Sequence, residues 1–179
     1  CALTTLAIMD DTGKLLGPNQ PGEIVVKGNL VTPGYYHDES ATQKVRAFNW
    51  HHTGDIGQMD EDGYLYIVDR KNDMIISGGF NIYPGEIEQV LLSLPQIQDC
   101  VVVGIPDEKW GEAVTAVVEL VPGNTLNEDV TLALCRKQLS GVKTPKSIVV
   151  WDNLPRSPVG KVLRRSVRET FWQGIQRKI

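Results

Sequence analysis

Two short segments carry side chains that could bind a nucleotide. In the first, Asp55 follows Thr53 and Gly54, and an exposed carboxylate beside a glycine could accept hydrogen bonds from the two hydroxyls of a ribose. An ordinary Asx turn also fits this pattern, and the spacing alone favours it. In the second, the planar guanidinium of Arg70 could reach ribose or phosphate oxygens, although a surface salt bridge fits that residue equally well.

A third segment, residues 155–161, ends in a lysine that could promote phosphoryl chemistry. Two prolines and a glycine constrain this loop, and Lys161 follows immediately after the glycine. A lysine held in this way could neutralise negative charge that develops on a phosphate. The alternative is a solvated lysine at the start of a basic helix, which is the usual role of an isolated lysine.

Two other kinds of site do not fit the sequence. The Gly78-Gly79 pair matches neither the dinucleotide-binding GxGxxG pattern nor the P-loop pattern GxxxxGK[ST]. His51 and His52 lack spaced cysteine, histidine or carboxylate partners, so we predict no metal site.

The elements that must position these segments differ between the two halves of the chain. The first part is predicted to contain short strands, one short helix at 39–46 and an acidic hairpin turn. These strands cover 6–9, 22–27, 56–59 and 64–68. Strand content therefore dominates the chain as far as residue 68.

After Arg70 the pattern changes to strands that alternate with amphipathic helices. Pro84 is predicted to start a helix, with an apolar stripe formed by Ile87, Val90, Leu91 and Leu94. Strands are predicted at 100–105, 113–121 and 148–151, and helices at 128–139 and from about 162. In the last helix we expect Leu163, Val167 and Phe171 to form the apolar face. Together the two halves predict an α+β fold.

The bulk composition excludes several classes of protein. The 179 residues carry a formal net charge of −4, which argues against a general nucleic-acid binder. No apolar run approaches the roughly 20 residues of a membrane-spanning helix. The three cysteines lack CxxC spacing, so we predict a reduced, cytoplasmic setting. Because the sequence starts without a methionine and with a strand almost under way, we expect it to be a piece of a longer protein.

Taken in order, the three segments resemble the carboxyl-terminal part of the AMP-forming adenylating enzymes. This superfamily includes acyl-CoA and aryl-CoA synthetases, adenylation domains of peptide synthetases and firefly luciferase. The resemblance covers nearly the whole chain. It implies that residues 1–70 are the β-rich end of a large amino-terminal domain, and that residues 71–179 are the small, mobile, mixed α/β carboxyl-terminal domain.

The resemblance also implies roles for the three segments. Asp55 would hold the ribose hydroxyls of ATP or AMP, and Arg70 would contact ribose or phosphate. Lys161 would be the catalytic residue that bridges the carboxylate substrate and the α-phosphate. Asn72 would be the hinge about which the small domain rotates between the two half-reactions, although asparagine stands where relatives usually carry aspartate or lysine.

Coenzyme A is the second ligand that the resemblance implies. The Ser77, Gly78 and Gly79 stretch would line a passage for pantetheine, and Trp110 would lie near that arm. Lys143 and Lys146 would bind the CoA phosphates. ATP or AMP, CoA and Mg²⁺ are thus expected as cofactors, with the Mg²⁺ ligands mainly outside this segment.

We therefore predict a fragment of an ATP-dependent ligase that joins a carboxylic acid, fatty or aryl, to CoA. Its partner would be a missing amino-terminal domain that carries the phosphate loop and the acid pocket, so the isolated chain is expected to be inactive. Two alternatives remain. One is an adenylation domain that loads a carrier protein; the other is a binding module without catalysis, against which the presence of Asp55, Arg70 and Lys161 argues.

Overall fold

The computed structural model of the chain describes residues 3–174. These residues form two compact units, and the chain passes from the first to the second between Asn72 and Asp73. Within the described range, no helix is long and apolar enough to cross a membrane. The predicted α+β fold is confirmed.

The first unit is a four-stranded antiparallel sheet with one short helix, and the strands follow one another in chain order across the sheet. The turn between the last two strands is the predicted acidic one. The strands are β1 (Thr4–Met9), β2 (Gly22–Gly28), β3 (His51–Met59) and β4 (Leu65–Arg70), and the helix is α1 (Glu39–Val45).

The second unit is a five-stranded sheet in the order β6-β5-β8-β7, with β9 parallel to β8. Its strands are β5 (Ile75–Ser77), β6 (Phe80–Ile82), β7 (Ile97–Asp107), β8 (Gly111–Leu120) and β9 (Ser147–Val150). Its helices are α2 (Pro84–Leu92), α3 (Glu128–Gln138) and α4 (Arg164–Phe171).

Helices cover both faces of this second sheet. On one face, Ile87 and Leu91 of α2 and Cys135 of α3 pack against β7 and β8, and all three side chains are fully buried. On the other face, Val167 of α4 packs against Val101 and other residues of β7 and β8. Because both faces are covered, β7 is apolar along most of its length instead of alternating.

In the second unit one predicted detail was wrong, and one short strand was not predicted. The last helix begins at Arg164, and Leu163 precedes it with 39% of its surface exposed. The cause is local, since the Leu163 N–H donates to the Pro155 carbonyl and Val162 forms a bridge with Arg156, so the chain stays extended there. The sequence also gave no indication of β6, which is the second arm of a short hairpin with β5.

Candidate functional site

The Thr53-Gly54-Asp55 segment forms a wide bulge in β3. Between two matched pairs, Glu23 with Ile56 and Val25 with His52, β2 advances by two residues and β3 by four. A bulge of this kind pushes its extra residues out of the ladder and re-aims their side chains. Gly54 has a φ of +77°, which glycine adopts without strain.

Asp55 and Arg70 lie opposite each other across β3 and β4. They are partners in the strand register, and the Asp55 Oδ1 is 3.8 Å from the Arg70 Nε. The carboxylate is 39% exposed and the guanidinium 77%. An acceptor and a donor fork therefore stand side by side at the surface, where ribose hydroxyls and phosphate oxygens could each find the complementary group.

A buried carboxylate, that of Glu23 on β2, binds the neighbours of this pair in the chain. Its Oε1 accepts the Gly54 N–H at 3.1 Å, and its Oε2 accepts hydrogen bonds from His52 Nδ1 at 2.9 Å and Lys71 Nζ at 3.0 Å. The Lys71 ammonium also binds Asp11 at 2.7 Å. Glu23 is only 7% exposed, so these donors replace the water that its charge has lost.

The pKa values of this cluster follow from its hydrogen bonds. Burial alone would raise the pKa of Glu23, but the bonds from His52 and Lys71 lower it below the ordinary glutamate value. Burial alone would lower the pKa of Lys71, but the bonds to Asp11 and Glu23 raise it. Glu23 and Lys71 are therefore both charged at neutral pH.

The predicted hinge, Asn72, is exposed and lies between two anchored neighbours in a short 3₁₀ turn. On one side, Lys71 is bound to Glu23 within the first unit. On the other, Asp73 lies 3.4 Å from Arg164 within the second unit, and Arg164 also forms a close ion pair with Glu88. Each neighbour of Asn72 is thus fixed to its own unit.

Lys161 closes a tight loop that precedes α4. The Ser157 N–H donates to the Lys161 carbonyl at 2.8 Å, and the Lys161 N–H donates to the Ser157 hydroxyl at 3.2 Å. Gly160, with a φ of +82°, lets the chain reverse. The Lys161 side chain is exposed, and its ammonium forms no hydrogen bond or ion pair with any residue between 3 and 174.

Arg156 fastens this loop to the second sheet. Its two terminal nitrogens bind Asp99 at 2.7 Å and Glu119 at 3.1 Å, and one of them also donates to the Gly160 carbonyl at 3.3 Å. Glu119 is 7% exposed and accepts the Leu154 N–H as well. The backbone that carries Lys161 is therefore held at both ends, while its ammonium stays free among the described residues.

Gly78 and Gly79 form the two-residue turn between β5 and β6. Both have positive φ values, +58° and +81°, as a tight hairpin turn of this length requires. A Cβ on Gly78 would come within 2.7 Å of the Trp110 ring, whereas a Cβ on Gly79 would meet open space. The turn thus accounts for both glycines, and the space beside Gly78 is filled by Trp110.

Three of the residues predicted to bind CoA surround one cavity of about 420 Å³. Ser77, Trp110 and Lys146 line it together with residues 140–142. The Lys146 ammonium lies 4.8 Å from the centre of the Trp110 ring, and that of Lys109 lies 5.0 Å away. Lys146 gives the lining of this cavity a positive charge, and Lys109 places a second cation beside the same indole.

Lys143, the other lysine predicted to bind CoA, does not line the cavity. It binds Glu86 in the first turn of α2, with the Lys143 Nζ 2.5 Å from the carboxylate. For the range 3–174, no group of three or more histidine, cysteine or acidic side chains is placed to hold a metal ion.

Sequence reasoning missed Glu23, Lys71 and Arg156. The signal for Glu23 was a carboxylate in the otherwise apolar start of β2, since such a residue must be paired when it is buried. Its partners lie 29 to 48 positions further along the chain, so only the fold identifies them.

Comparison with known proteins shows which family the chain resembles. Residues 86–161 match the AMP-binding enzyme C-terminal domain. The chain is 46% identical to a long-chain-fatty-acid–CoA ligase of Escherichia coli O6:H1, over 93% of the chain and 29% of that ligase. It is 43% identical to a feruloyl-CoA synthase of an Amycolatopsis species, over 94% of the chain and 34% of that synthase. The chain thus spans about a third of the length of these curated relatives.

A solved structure gives the same result. The ATP-bound MatB of Rhodopseudomonas palustris superposes with a TM-score of 0.87 at 38% identity, and the match covers 94% of the chain and 34% of MatB. The resemblance inferred from the three segments is confirmed. The chain belongs to the AMP-forming adenylating enzyme superfamily and corresponds to the carboxyl-terminal portion of its members.

Proposed function

We propose that the full-length protein joins a carboxylic acid to CoA with cleavage of ATP to AMP and pyrophosphate. The observation that carries this proposal is similarity over more than nine tenths of the chain to CoA ligases, with Asp55, Arg70 and Lys161 present in the matching segments. One of those relatives is named for a fatty acid and one for an aryl acid, so the substrate class proposed is a carboxylic acid of either kind.

The reaction has two steps. In the first, a carboxylate oxygen bonds to the α-phosphorus as the bond to pyrophosphate breaks. In the second, the thiol sulfur of CoA bonds to the acyl carbon as AMP leaves and the thiol proton is released. The residues of this chain supply positioning and charge for both steps.

Asp55 and Arg70 are proposed to bind the nucleotide, since an exposed carboxylate and guanidinium stand together at the end of β4. Lys161 is proposed to hold the acid and the α-phosphate, because its loop is fixed while its ammonium has no partner within residues 3–174. The Mg²⁺ that accompanies ATP would be held by the remainder of the enzyme.

The cavity lined by Ser77, Trp110 and Lys146 is proposed to receive CoA. Its volume lies within the range of small-molecule sites, and its positive rim suits a phosphorylated thiol. Gly78 and Gly79 would shape this passage through the turn that they form. Lys143 would act through its bond to Glu86, and it would contact a CoA phosphate only if that bond opened.

We further propose that residues 1–70 belong to a large amino-terminal domain and residues 71–179 to a mobile domain that turns about Asn72. The two compact units, which divide after Asn72, and the anchored neighbours of that residue support this assignment.

The test is acid-dependent exchange of pyrophosphate into ATP by the full-length protein, followed by product analysis with CoA. A panel of aliphatic and aryl acids should yield at least one acyl-CoA at ordinary enzymatic rates. Exchange with transfer only to a phosphopantetheinylated carrier would favour the carrier-loading alternative, and no exchange with any acid would refute the proposal. The 179-residue chain alone should form no acyl-CoA.

A further inference from the structure

We infer that Glu23 is a positioning residue that fixes the nucleotide-binding pair Asp55 and Arg70 from both sides. The inference rests on the proposed function. Glu23 binds Gly54, the residue before Asp55, and Lys71, the residue after Arg70. One carboxylate thus binds the residue before Asp55 and the residue after Arg70.

The two oxygens of Glu23 divide this work. Oε1 accepts the Gly54 N–H and so ties down the bulge of β3. Oε2 accepts from Lys71, which follows β4, and from His52, which lies on β3 before the bulge. Three donors exceed the two lone pairs of one carboxylate oxygen, so both oxygens of Glu23 are needed.

The burial of Glu23 argues for this role over a purely structural one. Its side chain is 8% exposed, and a buried charge rarely adds more to stability than an apolar residue of similar volume. Its three donors come from residues 52, 54 and 71, all of which flank the pair. The carboxylate therefore gives a fixed geometry to this segment in particular.

The bulge makes such support necessary. Between His52 and Ile56 the β3 backbone leaves the regular ladder, so fewer strand bonds hold it. The Thr53 hydroxyl donates to the Ile24 carbonyl at 2.8 Å, and Glu23 holds Gly54. Loss of the Glu23 carboxylate would leave Gly54 free to move and Asp55 with it.

The test uses the full-length protein and four variants: Glu23→Met, Glu23→Gln, Lys71→Met and the surface control Lys14→Met. Glu23→Met should raise the KM for ATP about tenfold while kcat falls less than about threefold. The reason is that the substitution disturbs Asp55 and Arg70, which are proposed to bind the nucleotide, and leaves Lys161 in place. Glu23→Gln should recover part of this loss, since its amide oxygen can still accept from Gly54. Lys71→Met should raise the KM for ATP about threefold, and Lys14→Met should leave it unchanged.

The double variant Glu23→Met with Lys71→Met provides the sharpest readout. Its KM for ATP should match that of Glu23→Met within about twofold, since the Lys71 bond acts through Glu23. The KM for the acid should not change in any variant. A Glu23→Met enzyme with a lowered Tm but an unchanged KM for ATP would show a structural role alone and overturn the inference.

Hydrogen exchange of the full-length variants, measured by mass spectrometry, tests the geometry without reference to turnover. Amide hydrogens in peptides that cover 51–57 should exchange about tenfold faster in Glu23→Met than in the wild type. In Lys14→Met they should exchange at the wild-type rate. Unchanged exchange there would overturn the inference. A wild-type protein that activates no acid would refute the proposed function, and the exchange result would then decide the inference on its own.

Discussion

Two buried carboxylates, one in each unit, anchor the two candidate site segments in the same way. Glu23 on β2 and Glu119 on β8 are each 7% exposed. Each accepts a hydrogen bond from one backbone N–H and binds one cationic side chain. For Glu23 these belong to Gly54 and Lys71, and for Glu119 they belong to Leu154 and Arg156. A buried acceptor on a strand is a rigid support, because the strand ladder fixes its position.

The segments held by Glu23 and by Glu119 differ in the charged groups that they expose at the surface. In the first unit, Asp55 and Arg70 face each other at 3.8 Å, so the acidic and basic groups are ordered before any ligand arrives. In the second, the loop backbone is fixed but the Lys161 ammonium makes no bond to a residue of the described range. The comparison shows a preformed pair of opposite charges in one unit and, in the other, a lysine ammonium without a partner among residues 3–174.

The largest effect is expected from Lys161→Ala in the full-length protein, which tests the proposed role of the free ammonium. Removal of the only free cation on the loop 155–161 should slow acid-dependent pyrophosphate exchange about 100-fold or more. Thioester formation from supplied acyl adenylate should fall far less. Lys137→Ala, an exposed lysine at the end of α3, is the matched control. Equal losses in both half-reactions would contradict the role assigned to Lys161.

A milder change, Arg156→Ala, removes the side chain that fastens the loop 155–161 to the sheet and leaves Lys161 in place. It removes the bonds to Asp99 and Glu119 and leaves a buried carboxylate without its cation, so the loop should loosen. Pyrophosphate exchange should slow about tenfold, and the variant should respond less than the wild type to a further Lys161→Ala change.

Arg165→Ala is the control, because within residues 3–174 Arg165 pairs only with the exposed Glu169 one helical turn away. It should leave the exchange rate unchanged. If Arg156→Ala were equally harmless, the support of the loop by Glu119 would have no functional weight.

The sequence predicted most of the fold because periodicity reports burial directly. Ile87 and Leu91 recur at helical spacing, and both are fully buried in α2. The start of α4 was misjudged, since Val162 and Leu163 continue the apolar pattern while a bridge to Arg156 keeps them extended. Such a tertiary contact overrides local preference and leaves no mark in the spacing.

The candidate site was predicted in part. Asp55 and Arg70 were named as separate segments, and only the register of β3 and β4 shows that they are neighbours. Which residues support them depends on contacts between distant positions, such as Glu23 with Lys71, 48 positions apart. The bulge of β3 was equally hidden, since it is defined by a mismatch between two strands.

Gly78→Ala and Gly79→Ala extend the comparison to the turn between β5 and β6. Both substitutions place a Cβ at positive φ, which costs about 1 kcal/mol. Only Gly78→Ala also overlaps the Trp110 ring, so it should lower the free energy of unfolding by about 2 kcal/mol. Thermal unfolding of the full-length protein would measure the difference, and identical effects would show that the overlap is relieved at no cost.

The smallest expected effect is the acid sensitivity conferred by Glu23. Its pKa is lower in the folded protein than in the unfolded chain, because the bonds from His52 and Lys71 outweigh the effect of burial. Its contribution to stability is therefore complete above the unfolded pKa, about 4.3, and is lost as the pH falls through the folded pKa.

Glu23→Gln should accordingly make the free energy of unfolding less dependent on pH below about 5 than it is in the wild type. Denaturant unfolding of the full-length protein at pH 6 and at pH 3.5 would measure this change. The exposed Glu61→Gln is the control. Because the Glu23 carboxylate gains its bonds only when β2, β3 and Lys71 come together, parallel pH profiles for wild type and Glu23→Gln would mean that the unfolded chain already holds that charge equally well.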